Sequence, residues 1–148
     1  MSKLRILFVV ALSAAVVACA PRGAEQPRMV QMHVALTAAQ EVPPVPSGAT
    51  GQGTVTFDRA TRQVSWSVAY GGLSGPVQAA HFHGPATPGL NAGVAVPMPV
   101  TFSPMVGSAI LTDPMAADLL GGRMYINLHT PAFPNGEIRG QVVGAQPM

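Results

Sequence analysis

Apolar and polar residues alternate with a period of two through one short segment after another, and glycine and proline, 16 and 15 of the 148 residues, separate those segments. Successive side chains of a strand point to opposite faces, so this pattern builds half-buried strands and excludes a helical bundle. Val30, Met32, Val34 and Leu36 alternate with Gln31, His33, Ala35 and Thr37 as a first strand. "EVPPVPSGATG" (41–51) carries three prolines and ends in glycines, which predicts a loop or an extended edge. Val55 and Phe57 lead through a tight turn at 58–61 into Val64-Trp66-Val68-Tyr70. After the turn "GGLSGP", a strand carries "AHFHGPA" (80–86). "VAVPMPV" suits only an edge strand, because Pro97 and Pro99 cannot donate to a neighbour. Met105 to Leu111, "RMYINLHT" and "GEIRGQVVG" supply three more strands. One helix of about two turns is legible at "TDPMAADLLGG", with Thr112 or Asp113 as its cap, Pro114 in its first turn and Gly121 or Gly122 as its stop. About seven or eight strands with one short helix make an all-β sandwich or barrel.

The N-terminus does not belong to that pattern. Lys3 and Arg5 precede an apolar run from Ile6 to Ala18, shorter than the roughly 20 residues that span a bilayer, which reads as a secretory signal. The run ends in "VVAC", which resembles the bacterial lipobox, where cleavage before the cysteine leaves a lipid on it. Cys19 is the only cysteine, and acylation would account for an otherwise unpaired thiol in an exported chain. The competing reading is simple cleavage after Ala20. The organisation expected is therefore a signal peptide at 1–18, a lipidated tether at 19–28 and one β-sandwich domain at 29–148. No Asp follows Cys19, so the expected address is the periplasmic face of the outer membrane or the cell surface.

Removing the signal removes Lys3 and Arg5 and leaves six arginines against six acids. The basic character of the precursor belongs to the signal, and nucleic acid, which needs clustered cations, is not an expected partner. Exposed strand edges permit a homodimer, although Pro97 and Pro99 blunt one of them.

Three stretches taken in order, "LTAAQEVPPVPSGATG" (36–51), "YGGLSGPVQAAHFHGPA" (70–86) and "GSAILTDPMAADLLGGRMYINLHTPAFPNGEIRGQV" (107–142), together resemble the CHRD (chordin-type) domain. The resemblance implies an immunoglobulin-like, Greek-key β-sandwich whose biochemical activity is poorly defined. The chain departs from the family pattern at Pro114 and Met115, and His33 does not stand at a usual family position.

The chemistry of the sequence is concentrated in its histidines, of which there are four. His81 and His83 share one face of a strand with Cβ atoms roughly 6–7 Å apart, a spacing that lets both rings lean onto one ion. His129 projects opposite Ile126 and Leu128 and is the third candidate ligand; His33 is a fourth. Imidazoles without a thiolate favour copper(II), with zinc second. The bland alternative has His81 and His83 bonded to loop carbonyls around "HGPATPG" and His129 capping the "TPAFPNG" turn, in a non-catalytic adhesion or protein-interaction module. His-x-His on a strand is also similar to the copper ligands of Cu,Zn superoxide dismutase, but the disulfide cysteines and zinc-ligand segment of that enzyme are missing. Glu137 and Arg139 share a face of the last strand. Arg139 is expected to pair with Glu41, Glu137 to hold the far nitrogen of a ligating ring or to stand exposed, and Asn127 to support its neighbours by hydrogen bonding. No catalytic residue is assigned: "GLSGP" is not a nucleophile elbow, no paired carboxylates suit glycoside chemistry, and no phosphate loop is present.

Overall fold

The computed structural model describes residues 26–148; the expected signal, Cys19 and most of the tether lie outside the described residues. Eight strands and one helix follow in the order β1 (Met29–Thr37), β2 (Thr50–Asp58), β3 (Gln63–Gly71), β4 (Ala79–His83), β5 (Val94–Met98), β6 (Met105–Ile110), α1 (Asp113–Leu120), β7 (Tyr125–His129) and β8 (Ile138–Pro147). All neighbours are antiparallel, in one sheet of order β5-β4-β7-β8-β1-β2-β3-β6.

The sheet rolls on itself. Trp66 on β3 and Phe82 on β4 stand five places apart in the strand order, yet their rings meet edge to face with centroids 5.3 Å apart. The fold is thus all-β, a sandwich-like roll joined along one side by the β1–β8 ladder. Its core takes the apolar set of each strand: Val30, Met32, Val34 and Leu36 from β1, Ile126 and Leu128 from β7, Ile138 from β8. Met98, Met105 and Met124 fill gaps in the same core, as flexible thioethers do.

β5, with Pro97, lies at one end of the sheet, where a missing amide hydrogen costs no ladder bond, and β6 lies at the other. β2 begins at Thr50, inside the segment expected to be a loop, because Gly51 and Gly53 let it press against β3; a Cβ at Gly53 would stand 2.7 Å from the Ser67 carbonyl oxygen. Thr112 caps α1 through its Oγ1, which accepts from the Met115 amide, and Gly122, at φ 67°, takes the chain out of it. Among the described residues no helix is long and apolar enough to cross a membrane.

Chain direction separates two ends of the roll. Met29 enters beside Asp58, and Val30 beside Pro147. At the other end of β1 a continuous cross-strand row runs from Thr37 through Arg139 and Asn127 to His81.

Candidate metal centre

Residues directly opposite in an antiparallel pair share a face. β4 and β7 pair Ala79 with His129, His81 with Asn127 and His83 with Tyr125; β8 then sets Arg139 against Asn127 and Gln141 against Tyr125. With Phe82, Ile126 and Leu128 committed to the core, all three histidines fall on the outward face. That face is not open to water throughout. Asn127 is 3 % exposed, Arg139 2 % and His83 8 %, because the segment 84–93 lies across it. Its carbonyls and side chains tie it down: Ala92 O accepts from His83 Nδ1 at 2.9 Å, Leu90 O and Asn91 Oδ1 accept from Arg139 at 2.6 and 2.9 Å, and Ala86 O accepts from Gln141 Nε2 at 2.8 Å.

His81, His83 and His129 each offer one ring nitrogen, and these nitrogens lie within 4.8 Å of one another. His81 Nδ1 and His129 Nε2 already stand 3.1 Å apart. An ion about 2.1 Å from each nitrogen needs them about 3–3.5 Å apart, so the widest pair closes by about 1 Å, within reach of ring rotation. The rings are set at steep angles, 86° between His81 and His83 and 64° between His81 and His129, so their edges rather than their faces converge.

The hydrogen bonds decide which nitrogen each ring has free. A carbonyl oxygen only accepts, so His83 Nδ1 and His129 Nδ1, bonded to Ala92 O and to Pro134 O at 3.0 Å, both carry hydrogen. The lone pair is left on Nε2 in each. His129 Nε2 faces His81, while His83 Nε2 is buried with no partner. A buried polar atom without a partner costs about 1–3 kcal/mol, and an ion at this lone pair would recover that cost. Burial, then the charges of His129 and His83, hold the His81 pKa below its ordinary 6.5. Burial also lowers that of His129, against the bond to Pro134 O and with the charge of His83. Both rings are neutral at neutral pH, and because His129 Nε2 carries no hydrogen, the hydrogen of the 3.1 Å contact sits on His81 Nδ1 and moves to His81 Nε2 when Nδ1 ligates.

Tyr125 orients His83. The two rings stack 4.9 Å apart and 4° from parallel, and the phenol oxygen accepts from the Ala92 amide at 3.2 Å, on the residue whose carbonyl takes the His83 proton. On the β8 side of the same ring the Arg139 guanidinium carbon lies 3.4 Å from the centroid. Tyr125 was not singled out from sequence, and of the segment 84–93 only the part within "HGPATPG" was expected to offer carbonyls to the histidines, whereas the one that holds His83 comes from Ala92. Only the alternation of Tyr125 with Asn127 and His129 hinted that it shares their face.

Three expectations are corrected. Arg139 does not form an ion pair with Glu41, because its donors are taken by Leu90 and Asn91 and its plane by Tyr125. Glu41 is instead 5 % exposed with Oε1 unpartnered, and burial pushes its pKa up to about 7 against the nearby positive charge of Arg139. Glu137 holds no histidine and is not exposed. It is fully buried and accepts from Ser47 Oγ (2.7 Å), Ser74 N (2.9 Å), Ser74 Oγ (2.7 Å) and Thr130 Oγ1 (2.7 Å). Burial works to raise its pKa, but those donors together hold it below the ordinary carboxylate value. His33 is exposed on β1 opposite Thr54 and Val143 and does not join the trio. Asn127 sits centrally in the row from His81 to Arg139, with Oδ1 buried and unpartnered.

The bland reading of the histidines is thus half realised: loop carbonyls do hold His83 and His129, but through Nδ1 alone, which is how a ligating ring is oriented from behind. No curated protein and no solved structure matches the chain. A family model, that of the CHRD domain, matches residues 32–142, a span that runs from β1 into β8 and contains all three converging histidines. The chain belongs to the CHRD domain family.

Proposed function

We propose that this domain binds one divalent transition-metal ion through His81, His83 and His129, copper(II) first and zinc second, in an exported protein held by a lipid on Cys19 at the outer membrane or cell surface. The observation that carries the reading is the buried, unpartnered Nε2 of His83 within a trio of ring nitrogens no more than 4.8 Å apart. The all-imidazole donor set favours copper over zinc by the usual order of divalent affinities and offers nothing to calcium or magnesium. Nδ1 bonds to Ala92 and Pro134 carbonyls fix the ring orientations before an ion arrives.

Titration of the purified, metal-free protein with Cu(II) and Zn(II) tests this. The native chain should take up one ion, more tightly for copper, and the His81→Ala/His83→Ala variant none at the same concentrations. Absence of stoichiometric uptake, or uptake untouched by the double substitution, overturns the reading in favour of a metal-free interaction module.

A further inference from the structure

We propose that the loaded centre takes a small anion as its remaining ligand, so that the domain carries an ion–anion pair rather than a bare cation. The inference rests on the metal reading above and concerns the ligand class of that same centre.

Charge comes first. Imidazole ligates as a neutral group, so three of them leave the full double positive charge of the ion in place. Among the described residues the converging group of histidine, cysteine and acidic side chains contains no carboxylate or thiolate. Of the two carboxylates near this face one is fully engaged, and the other, with Oε1 unpartnered, stands outside the converging trio. Glu137 has its oxygens taken by Ser47, Ser74 and Thr130, and Glu41 is sunk beside Gly136, whose Cβ, were there one, would stand 2.5 Å from Glu41 Oε1. One fixed cation stands behind the centre instead: Arg139, 2 % exposed, lies on the Tyr125 ring that stacks on His83. A divalent ion here is therefore neutralised by no bonded protein group and is backed by a guanidinium.

Vacancy comes second. Three protein ligands leave at least one position open on a four-coordinate ion. His83 is buried while His81 and His129 are half-exposed, so the open side is the solvent side. An ion that keeps a positive charge and a solvent-facing position holds water weakly against any small anion that can ligate, such as azide, chloride, formate or hydroperoxide. The uncompensated charge at the metal favours such a pair.

Azide is the probe, because its complex with copper(II) gives a charge-transfer absorption that neither partner has alone. The full-length protein, loaded with one equivalent of Cu(II) at pH 7.5, is titrated with sodium azide while absorption and electron paramagnetic resonance are followed. The expected result is a saturable band with one azide per copper, an altered copper resonance that still shows nitrogen coupling, and displacement of the band by excess formate. An unchanged spectrum on protein that holds its copper overturns the inference while leaving the metal reading standing, since a protein group would then fill the position. A band of equal strength on the His81→Ala/His83→Ala variant also overturns it, since the azide would then report copper bound elsewhere. Failure of the native chain to hold copper removes the metal reading itself, and this inference with it.

Discussion

At His83 one ring meets two demands: Nδ1–H is held by the Ala92 carbonyl while Nε2 waits, buried and unpartnered. What keeps the ring in that pose is the Tyr125 face beneath it, so Tyr125→Leu should weaken copper binding about tenfold, the lower end of what losing a ligand's support costs. Tyr125→Phe, which keeps the stack and the guanidinium contact, should stay within about threefold of native; competitive titration of copper against a chelator measures both. The lowered pKa values of His81 and His129 mean that protons compete with the ion for these two rings less than for ordinary imidazoles. Affinity should therefore hold at neutral pH and fall on acidification, which metal titrations across the pH range will read. Glu41 behaves in the opposite sense. Its folded pKa, about 7 against an ordinary 4.5, means that the folded chain binds a proton more readily than the unfolded one. Its contribution is most favourable below pH 4.5 and is lost as pH rises through 7. Glu41→Gln, which removes the desolvated charge, should therefore stabilise the protein by about 1–3 kcal/mol at pH 8 and by almost nothing at pH 4, as measured by urea unfolding.

Between elements, Glu137 is the fastener. One carboxylate at the head of β8 gathers the loop before β2 through Ser47, the turn after β3 through Ser74 and the end of β7 through Thr130. Glu137→Ala should cost about 3–5 kcal/mol in urea unfolding, because it strands several buried donors at once. Strand faces, the helix with Thr112 or Asp113 as its cap, the edge position of β5 and the shared face of His81 and His83 were legible in the sequence, since each follows from a period or a turn residue within one segment; that His129 joins that face is set by the pairing of β4 with β7. The cover over that face was not. Alternation on β7 set a polar side against the core, but the segment 84–93 folds back over that side, and although carbonyls of "HGPATPG" were expected near His81 and His83, nothing local says that those of Ala92, Leu90 and Ala86 will reach His83, Arg139 and Gln141. The expected pairing of Arg139 with Glu41 failed for the same reason. Which acceptors an arginine finds depends on contacts 48 and 49 residues apart, to Asn91 and Leu90, and spacing along one strand does not encode them.

For the molecule as a whole, what counts is the separation of its two ends. The described chain enters at Met29, and the row that contains His81 crosses β1 at Thr37, about 26 Å further along the strand. On the proposed lipid anchor, Cys19→Ser should release the protein from the membrane fraction while leaving copper affinity within about twofold, since nothing at the centre depends on the entry end; fractionation with parallel titration checks both parts. A body leashed at one pole turns about that pole, and the opposite pole traces the outer radius of its tumbling. The histidine trio would then sweep the aqueous layer beyond the headgroups.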